Sequence, residues 1–468
     1  MTMTMVSPPS ISFAVVLLLL LPLAVTAAND GPSANERMIL MYILYAVIQR
    51  LVGKEEEIER LPPIERRRRS VDELFCELGP YYLKRAYRMN KDEFWALHRN
   101  IYDKMKYNIR APANKGVPGV DQTNGAVNGL ISSSIRLSAA IRFCAGGSPV
   151  DIALSHGICV KDVYKSLWRV VDAINSTKSM NIIFPSKEEQ KKLAAIAKEK
   201  SQASFSKVVG FTDGMLVWIE QPTKKECEKA GFGAAKFYCS RKKKYGLNMT
   251  GTCDIHKRFI DIDIKHPGST SDYLAFAMSP LKERCDDGEI ENGYYLFGDC
   301  AYMNNNYMVT PYKNSTGFVD KDNFNFFHSQ LRINIECAFG ILVNRWTVLR
   351  RPMSSKIPIH KVSALTIALC KLHNFLIDSR LERTLAGDVA HCLSSGGLVD
   401  LVSHSKDFPD ASVPVALLHG GQHFDDVPNE LRRQRERNAR RTLHRDVLCE
   451  EVRNAGLRRP TPIRWITY

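Results

Sequence analysis

The segment "YYLFGDCAY", residues 294–302, places an aspartate directly after an apolar run that reads as a buried strand. A bare carboxylate is costly to desolvate there, so other groups must converge on that strand end. Working outward, "KVVGFTDGMLVWIE" (207–220) reads as a strand pair or bent strand with Val209, Phe211 and Asp213 on one face. "KYGLNMTGTCDI" (244–255) and "RFIDIDIKH" (258–266) read as two strands joined through His256 and Lys257. In the second, Ile260, Ile262 and Ile264 alternate with Asp261 and Asp263, which assigns those acids to a wet face. From about Asn323 the pattern turns helical, with Phe327, Leu331, Ile335, Ala338, Leu342 and Trp346 in one apolar seam. A further apolar helix covers "SALTIALCKLHNFL". Strands followed by helices predict an α/β layer domain over 205–376.

Three acids stand out by position. Asp213 interrupts the first strand beside Gly214, Asp299 ends a later strand beside Gly298, and Glu336 lies mid-helix one turn after Arg332. Each has an ordinary reading: a turn for Asp213, bonds to neighbouring amides for Asp299, and an i,i+4 pair with Arg332 for Glu336. Taken together they have another. Strand ends of such sheets are where ligands bind, and three carboxylates on adjacent elements repel unless cations neutralise them. Oxygen ligands suit Mg²⁺ or Mn²⁺, and two such ions can clamp the attacking and leaving oxygens of an in-line phosphoryl displacement.

"VVGFTDGMLVWIEQP", "YLFGDCAYMNNNYMVTPY", "FNFFHSQLRINIECAFGILVNRW" and "ALCKLHNFLID" together resemble successive blocks of the DDE superfamily endonuclease domain of Harbinger-type (PIF/Harbinger) transposases. The resemblance covers about 205–376 and implies an RNase H-like mixed sheet with flanking helices. It also implies metal-dependent DNA cleavage and strand transfer, with Asp213, Asp299 and Glu336 as the catalytic and metal-holding triad. Asp272, in "HPGSTSDYLAF", matches an auxiliary acid and metal-ligand position; its plainer reading is a helix N-cap or first-turn acid. Asn325, Ser329 and Arg332 match positions on the Glu-bearing helix, with Arg332 assigned to DNA phosphate or to orienting Glu336. The family often works with a separate Myb-like DNA-binding partner, and homo-oligomers fit the same picture. A second reading keeps the fold and DNA contacts but not the cleavage, as in a domesticated transposase. A third, a secreted or membrane-anchored hydrolase, rests on the N-terminus alone.

Upstream, residues 71–180 read as helical. Ser148-Pro149 opens a short helix, His156-Gly157 forms a turn, and a longer helix starts at Val160 with Val163, Leu167, Val170 and Ile174 on its apolar face. That is a helix-turn-helix plan, leaving Lys161, Lys165 and Arg169 on the exposed side to meet DNA. A helical hairpin that merely packs fits the same pattern. Lys242 and Lys243, in "SRKKKYG" (240–246), could track a DNA backbone or lie in a solvated strand entry.

The 468-residue chain is 44% apolar and carries 65 Lys and Arg against 50 Asp and Glu, a net +15. That excess favours a polyanion, nucleic acid before membrane. "RRRR" at 66–69 and the Arg-rich segment 377–468 read as import signals, phosphate clamps or solvated tails. The twelve cysteines include no C-x-x-C pair, which argues against a zinc module or tight disulfide framework. Residues 1–70 hold a leader-like apolar run, "ISFAVVLLLLLPLAVTAA" (11–28), ahead of a basic linker. That run conflicts with the expectation of a nuclear protein without displacing it, because no Lys or Arg precedes it and the usual positive n-region of a leader is missing.

Overall fold

The computed structural model describes residues 64–105, 117–121, 123, 125–379 and 444–460. The leader-like run 11–28 lies outside them, as does most of the segment after residue 379. No helix among the described residues is long and apolar enough to cross a membrane.

Six strands form one mixed sheet: β1 (Val208–Trp218), β2 (Tyr238–Cys239), β3 (Lys244–Cys253), β4 (Phe259–Pro267), β5 (Tyr295–Gly298) and β6 (Met308–Val309). β3 pairs antiparallel with β1, β2 and β4, while β5 runs parallel to both β1 and β6. β1 is therefore central, with antiparallel strands on one side and parallel ones on the other. Thr212 is in register with Gly298, so Asp213 and Asp299 are the next residues of adjacent parallel strands.

The expected single face for Val209, Phe211 and Asp213 does not hold. The register against β5 shifts between Val208 and Gly210. This bulge puts Val208 and Phe211 in the main core and Val209 in the cluster on the opposite face, with Leu296, Phe276 and Tyr302. Beyond the bulge β1 is one continuous strand rather than a strand pair. The wet face assigned to Asp261 and Asp263 is also wrong, because Asp263 is buried and Asp261 is met by a side chain from a later short helix, Pro280–Asp286. Asp263 is only 5% exposed, and Asp261 is held by Arg284 at 2.5 Å.

The helices are α1 (Val71–Tyr87), α2 (Lys91–Met105), α3 (Ser133–Cys144), α4 (Pro149–His156), α5 (Val160–Ser176) and α6 (Lys187–Lys200), all before the sheet. α7 (Lys224–Ala230), α8 (Asp272–Ala277), α9 (Pro280–Asp286), α10 (Val319–Arg345), α11 (Ile359–Asp378) and α12 (His444–Asn454) follow. α6 opens on the anticipated capping box between Ser186 and Glu189. α10 lays Phe327, Leu331, Ile335, Ala338 and Leu342 on the sheet, and comes so close that a Cβ on Gly251 would lie 2.9 Å from the Phe339 ring.

α4 and α5 meet at Gly157, which has φ +64°, and a Cβ there would lie 1.8 Å from the Arg67 carbonyl oxygen. Val163, Leu167, Val170 and Ile174 of α5 are all buried. At about 1.5–3 kcal/mol each, their burial outweighs any surface ion pair on the same helix. α5 also leans on α11: Asn175 donates to the Ala364 carbonyl at 2.8 Å, and Lys371 donates to the Asn175 carbonyl at 2.9 Å. From Arg66 onward the described residues belong to one compact unit.

Two basic stretches differ from their expected form. Arg68 is buried and bonds the Gly129 and Gly157 carbonyls, while Arg69 pairs with Glu77, so this part of "RRRR" is built into the fold. α12 is packed rather than a solvated tail, with Leu448 and Val452 buried, and Arg459 just beyond it bonds Asn323 and Asp322 of α10.

Candidate functional site

Asp213 continues the alternation of Phe211 and Val217, both in the core beneath α10, and so faces that helix. There it meets Arg332, whose Nη1 donates to Asp213 Oδ2 at 3.0 Å and whose Nη2 donates to Glu336 Oε1 at 2.5 Å. The guanidinium lies between two of the three expected acids. Asp299 sits beside Asp213 and accepts a bond from the Ala301 amide at 2.8 Å.

The electrostatics follow from this crowding. Burial pushes the Asp213 carboxyl up to about 7; Arg332 opposes the shift and Asp299 adds to it. Burial also raises Asp299, countered by the Ala301 amide and reinforced by Asp272. Arg332 loses solvation too, but Asp213, Glu336 and Asp299 together hold its charge above the usual range.

Asp272 approaches from the other face of the sheet. Ser271 is the N-cap of α8, which makes Asp272 a first-turn acid. A Cβ on Gly214 would lie 2.1 Å from Asp272 Oδ1, so glycine at 214 is what admits this carboxylate beside β1. Asn248 donates to Asp272 Oδ1 at 3.0 Å, and Arg241 lies 3.6 Å from Oδ2. In sequence Asn248 reads as one position of the strand 244–255; its amide nitrogen is committed to Asp272 and to the Thr270 carbonyl. Neither Arg241 nor Tyr302 stands out in sequence. Among the described residues the buried Tyr302 hydroxyl has no hydrogen-bond partner, and burial together with Asp213, Asp272 and Asp299 raises its pKa.

Among the described residues no three His, Cys, Asp or Glu side chains form a ready-made metal site. The donor chemistry nonetheless fits a hard cation. Asp213 and Asp299 offer only oxygens, repel each other, and lie near a buried hydroxyl that lacks a partner. Glu336 is the acid turned away, onto Arg332.

The other expected DNA contacts are dispersed. Lys242 and Lys243 sit in the turn between β2 and β3, Lys243 at φ +52°, next to Arg241. Lys161 and Lys165 are exposed on α5, Lys165 lying 3.5 Å from Asp162, and Arg169 is half-buried. Asn325 bonds both backbone groups of Tyr312, at 2.8 and 2.9 Å, pinning the loop before α10; Ser329 is exposed.

Residues 212–374 match the DDE superfamily endonuclease family, a span that holds Asp213, Asp272, Asp299, Arg332 and Glu336. The chain carries a DDE superfamily endonuclease domain. It is 21% identical over 266 residues to the Arabidopsis thaliana protein named Antagonist of Like Heterochromatin Protein 1, covering 53% of this chain and 63% of that protein. A second Arabidopsis thaliana protein, ALP1-like, is 20% identical over 300 residues, covering 61% of this chain and 70% of its own. The chain thus spans less than two thirds of the first relative. No solved structure gives a significant match.

Proposed function

We propose that the chain is a divalent-metal-dependent DNA endonuclease of transposase type, acting through Asp213, Asp299 and Glu336 on an RNase H-like sheet. The observation that carries this reading is the adjacency of Asp213, midway along β1, and Asp299, just past the end of the parallel strand β5, both half-buried and both raised in pKa, within the span matched to the DDE endonuclease family. Bound there, Mg²⁺ or Mn²⁺ would polarise the phosphodiester and activate water or a DNA 3′-hydroxyl. Asp213 and Asp299 would hold it, joined by Glu336 once Arg332 releases that carboxylate. Asp272, fixed by Asn248, adds negative charge from the opposite face, and Gly214 gives it room. Arg332 neutralises Asp213 and Glu336 in the absence of metal and carries a charge suited to a DNA phosphate. The net +15 and the basic turn at Arg241–Lys243 suit the same polyanion, and we place the protein in the nucleus on that ground.

One observation favours a second reading. Arg332 already bridges Asp213 and Glu336 as a structural ion pair would, and a relative is named for antagonism of a chromatin protein rather than for a nuclease. A DNA-binding protein that no longer cleaves would look like this. Titrating Mg²⁺ and Mn²⁺ into wild type and Asp299→Asn with supercoiled plasmid separates the two. The nuclease reading expects nicking that rises with metal and falls about 100- to 1,000-fold in the variant, the scale of losing one preorganised charge partner. No nicking by wild type at any metal concentration gives the second reading the field.

A further inference from the structure

A cleft of about 380 Å³ opens beside Ala301 and Tyr302, the residues that follow Asp299. Its walls include Tyr312, Lys313 and Lys321 together with Arg445, which comes from α12, outside the span matched to the endonuclease family. Among the described residues no Asp or Glu lines it. Tyr312 organises the cations: the Arg445 guanidinium lies 4.2 Å over its ring and the Lys321 ammonium 5.3 Å from the ring centre. Asn325 fixes the Tyr312 backbone, and the Tyr312 hydroxyl donates to Asp446 at 2.6 Å, tying α12 to this wall.

The lysine charge is not neutralised locally. Lys313 and Lys321 form no salt bridge among the described residues; Arg445 has only its neighbour Asp446 at 3.8 Å, and its Nε is buried without a hydrogen bond. Two unpaired lysines, beside an Arg445 that shares Asp446 with the Tyr312 hydroxyl, leave the cleft net positive and suited to an anion from outside, and a volume of this size accommodates a nucleotide. Because the cleft wall begins at Ala301, two residues past Asp299, an anion seated in it would lie along the path of a strand reaching the acids.

We propose that this cleft binds the phosphate backbone of the DNA strand next to the cleaved bond, with the C-terminal helix α12 supplying Arg445 to complete it. The proposal rests on the DNA reading above, but its test needs no cleavage. Binding of labelled duplex DNA by the full chain is measured in EDTA across a salt series. Lys313→Ala/Lys321→Ala lowers the slope of log K against log salt by about 1.8, and adding Arg445→Ala brings the loss to about 2.7, since each phosphate contact contributes about 0.9. Lys229→Ala, which removes a cation paired with Glu226 and not lining the cleft, leaves the slope as in wild type. Thermal melting shows whether Arg445→Ala loosens α12; the lysine pair decides the matter without touching that helix. An unchanged slope in the lysine pair overturns the proposal, even if wild type nicks plasmid. A reduced slope upholds it, even if wild type never nicks. Competition by polyglutamate as strong as by unlabelled DNA also overturns it, reassigning the cleft to an acidic protein.

Discussion

The junction of mid-β1 with the end of β5 and the outer face of α5 both carry charge, yet they are built in opposite ways. Where β1 passes the end of β5, carboxylates from distant parts of the sequence are driven together in half-buried positions, where each raises the cost of the next, and Arg332 bridges two of them. On α5 Lys161 and Lys165 point outward, and Lys165 finds its counter-charge one turn away at Asp162. The position of α5 is set by Val163, Leu167, Val170 and Ile174, which would pack in the same way with neutral residues outside. Charge assembled against its own electrostatic cost calls for a function. Charge on a face that packing leaves free does not, by itself.

The sharpest way to break this contrast is at Arg332. Arg332→Ala leaves Asp213 and Glu336 without their partner and should destabilise the metal-free protein by about 3 kcal/mol at pH 8, the low end for breaking a buried pair because the site keeps some exposure. Millimolar Mg²⁺ should recover much of that loss in chemical denaturation. Equal stability of variant and wild type without metal would make the acids no more demanding than those of α5.

A smaller effect comes from pH. The Asp213 carboxyl titrates at about 7 when folded, against an ordinary aspartate value of 3.8, so the folded chain holds that proton more tightly. This preference stabilises the fold fully below the unfolded value and is lost as pH rises through the folded one. Metal-free wild type should therefore lose more stability than Asp213→Asn between about pH 4 and pH 8. Parallel melting curves against pH would contradict the raised pKa.

The smallest effect belongs to α5. Lys161→Ala/Lys165→Ala should change folding stability by no more than about 0.5 kcal/mol. If α5 meets DNA, the salt slope of binding falls by about 0.9 for each lysine; an unchanged slope leaves these helices as packing.

Much of the sheet was legible because alternation and strand-breaking residues are local signals. The β3–β4 turn at Lys257, the seam of α10 and the apolar face of α5 all follow from periodicity. The bulge at Val209 was not legible, since it arises from pairing with β5, a strand far downstream. Nor was the Arg284 pairing of Asp261, which depends on where a later helix folds back. At the site, Asp213, Asp299 and Glu336 were visible as acids where acids are costly. Arg332 was visible as a neighbour of Glu336, but its second bond, to Asp213, required the packing of α10 on β1. Asn248 and Tyr302 gave no signal because their importance lies in what surrounds them. The docking of α12 was hidden in the same way: its two buried residues, Leu448 and Val452, sit within an Arg-rich stretch that reads as a tail.

The central claim is that Asp213 and Asp299 are brought together to hold a divalent cation. Calorimetric titration of Mn²⁺ into wild type and into Asp213→Asn/Asp299→Asn tests it most directly. The account predicts saturable binding by wild type that disappears in the double variant while the fold is kept. Binding of equal strength in both proteins would contradict it.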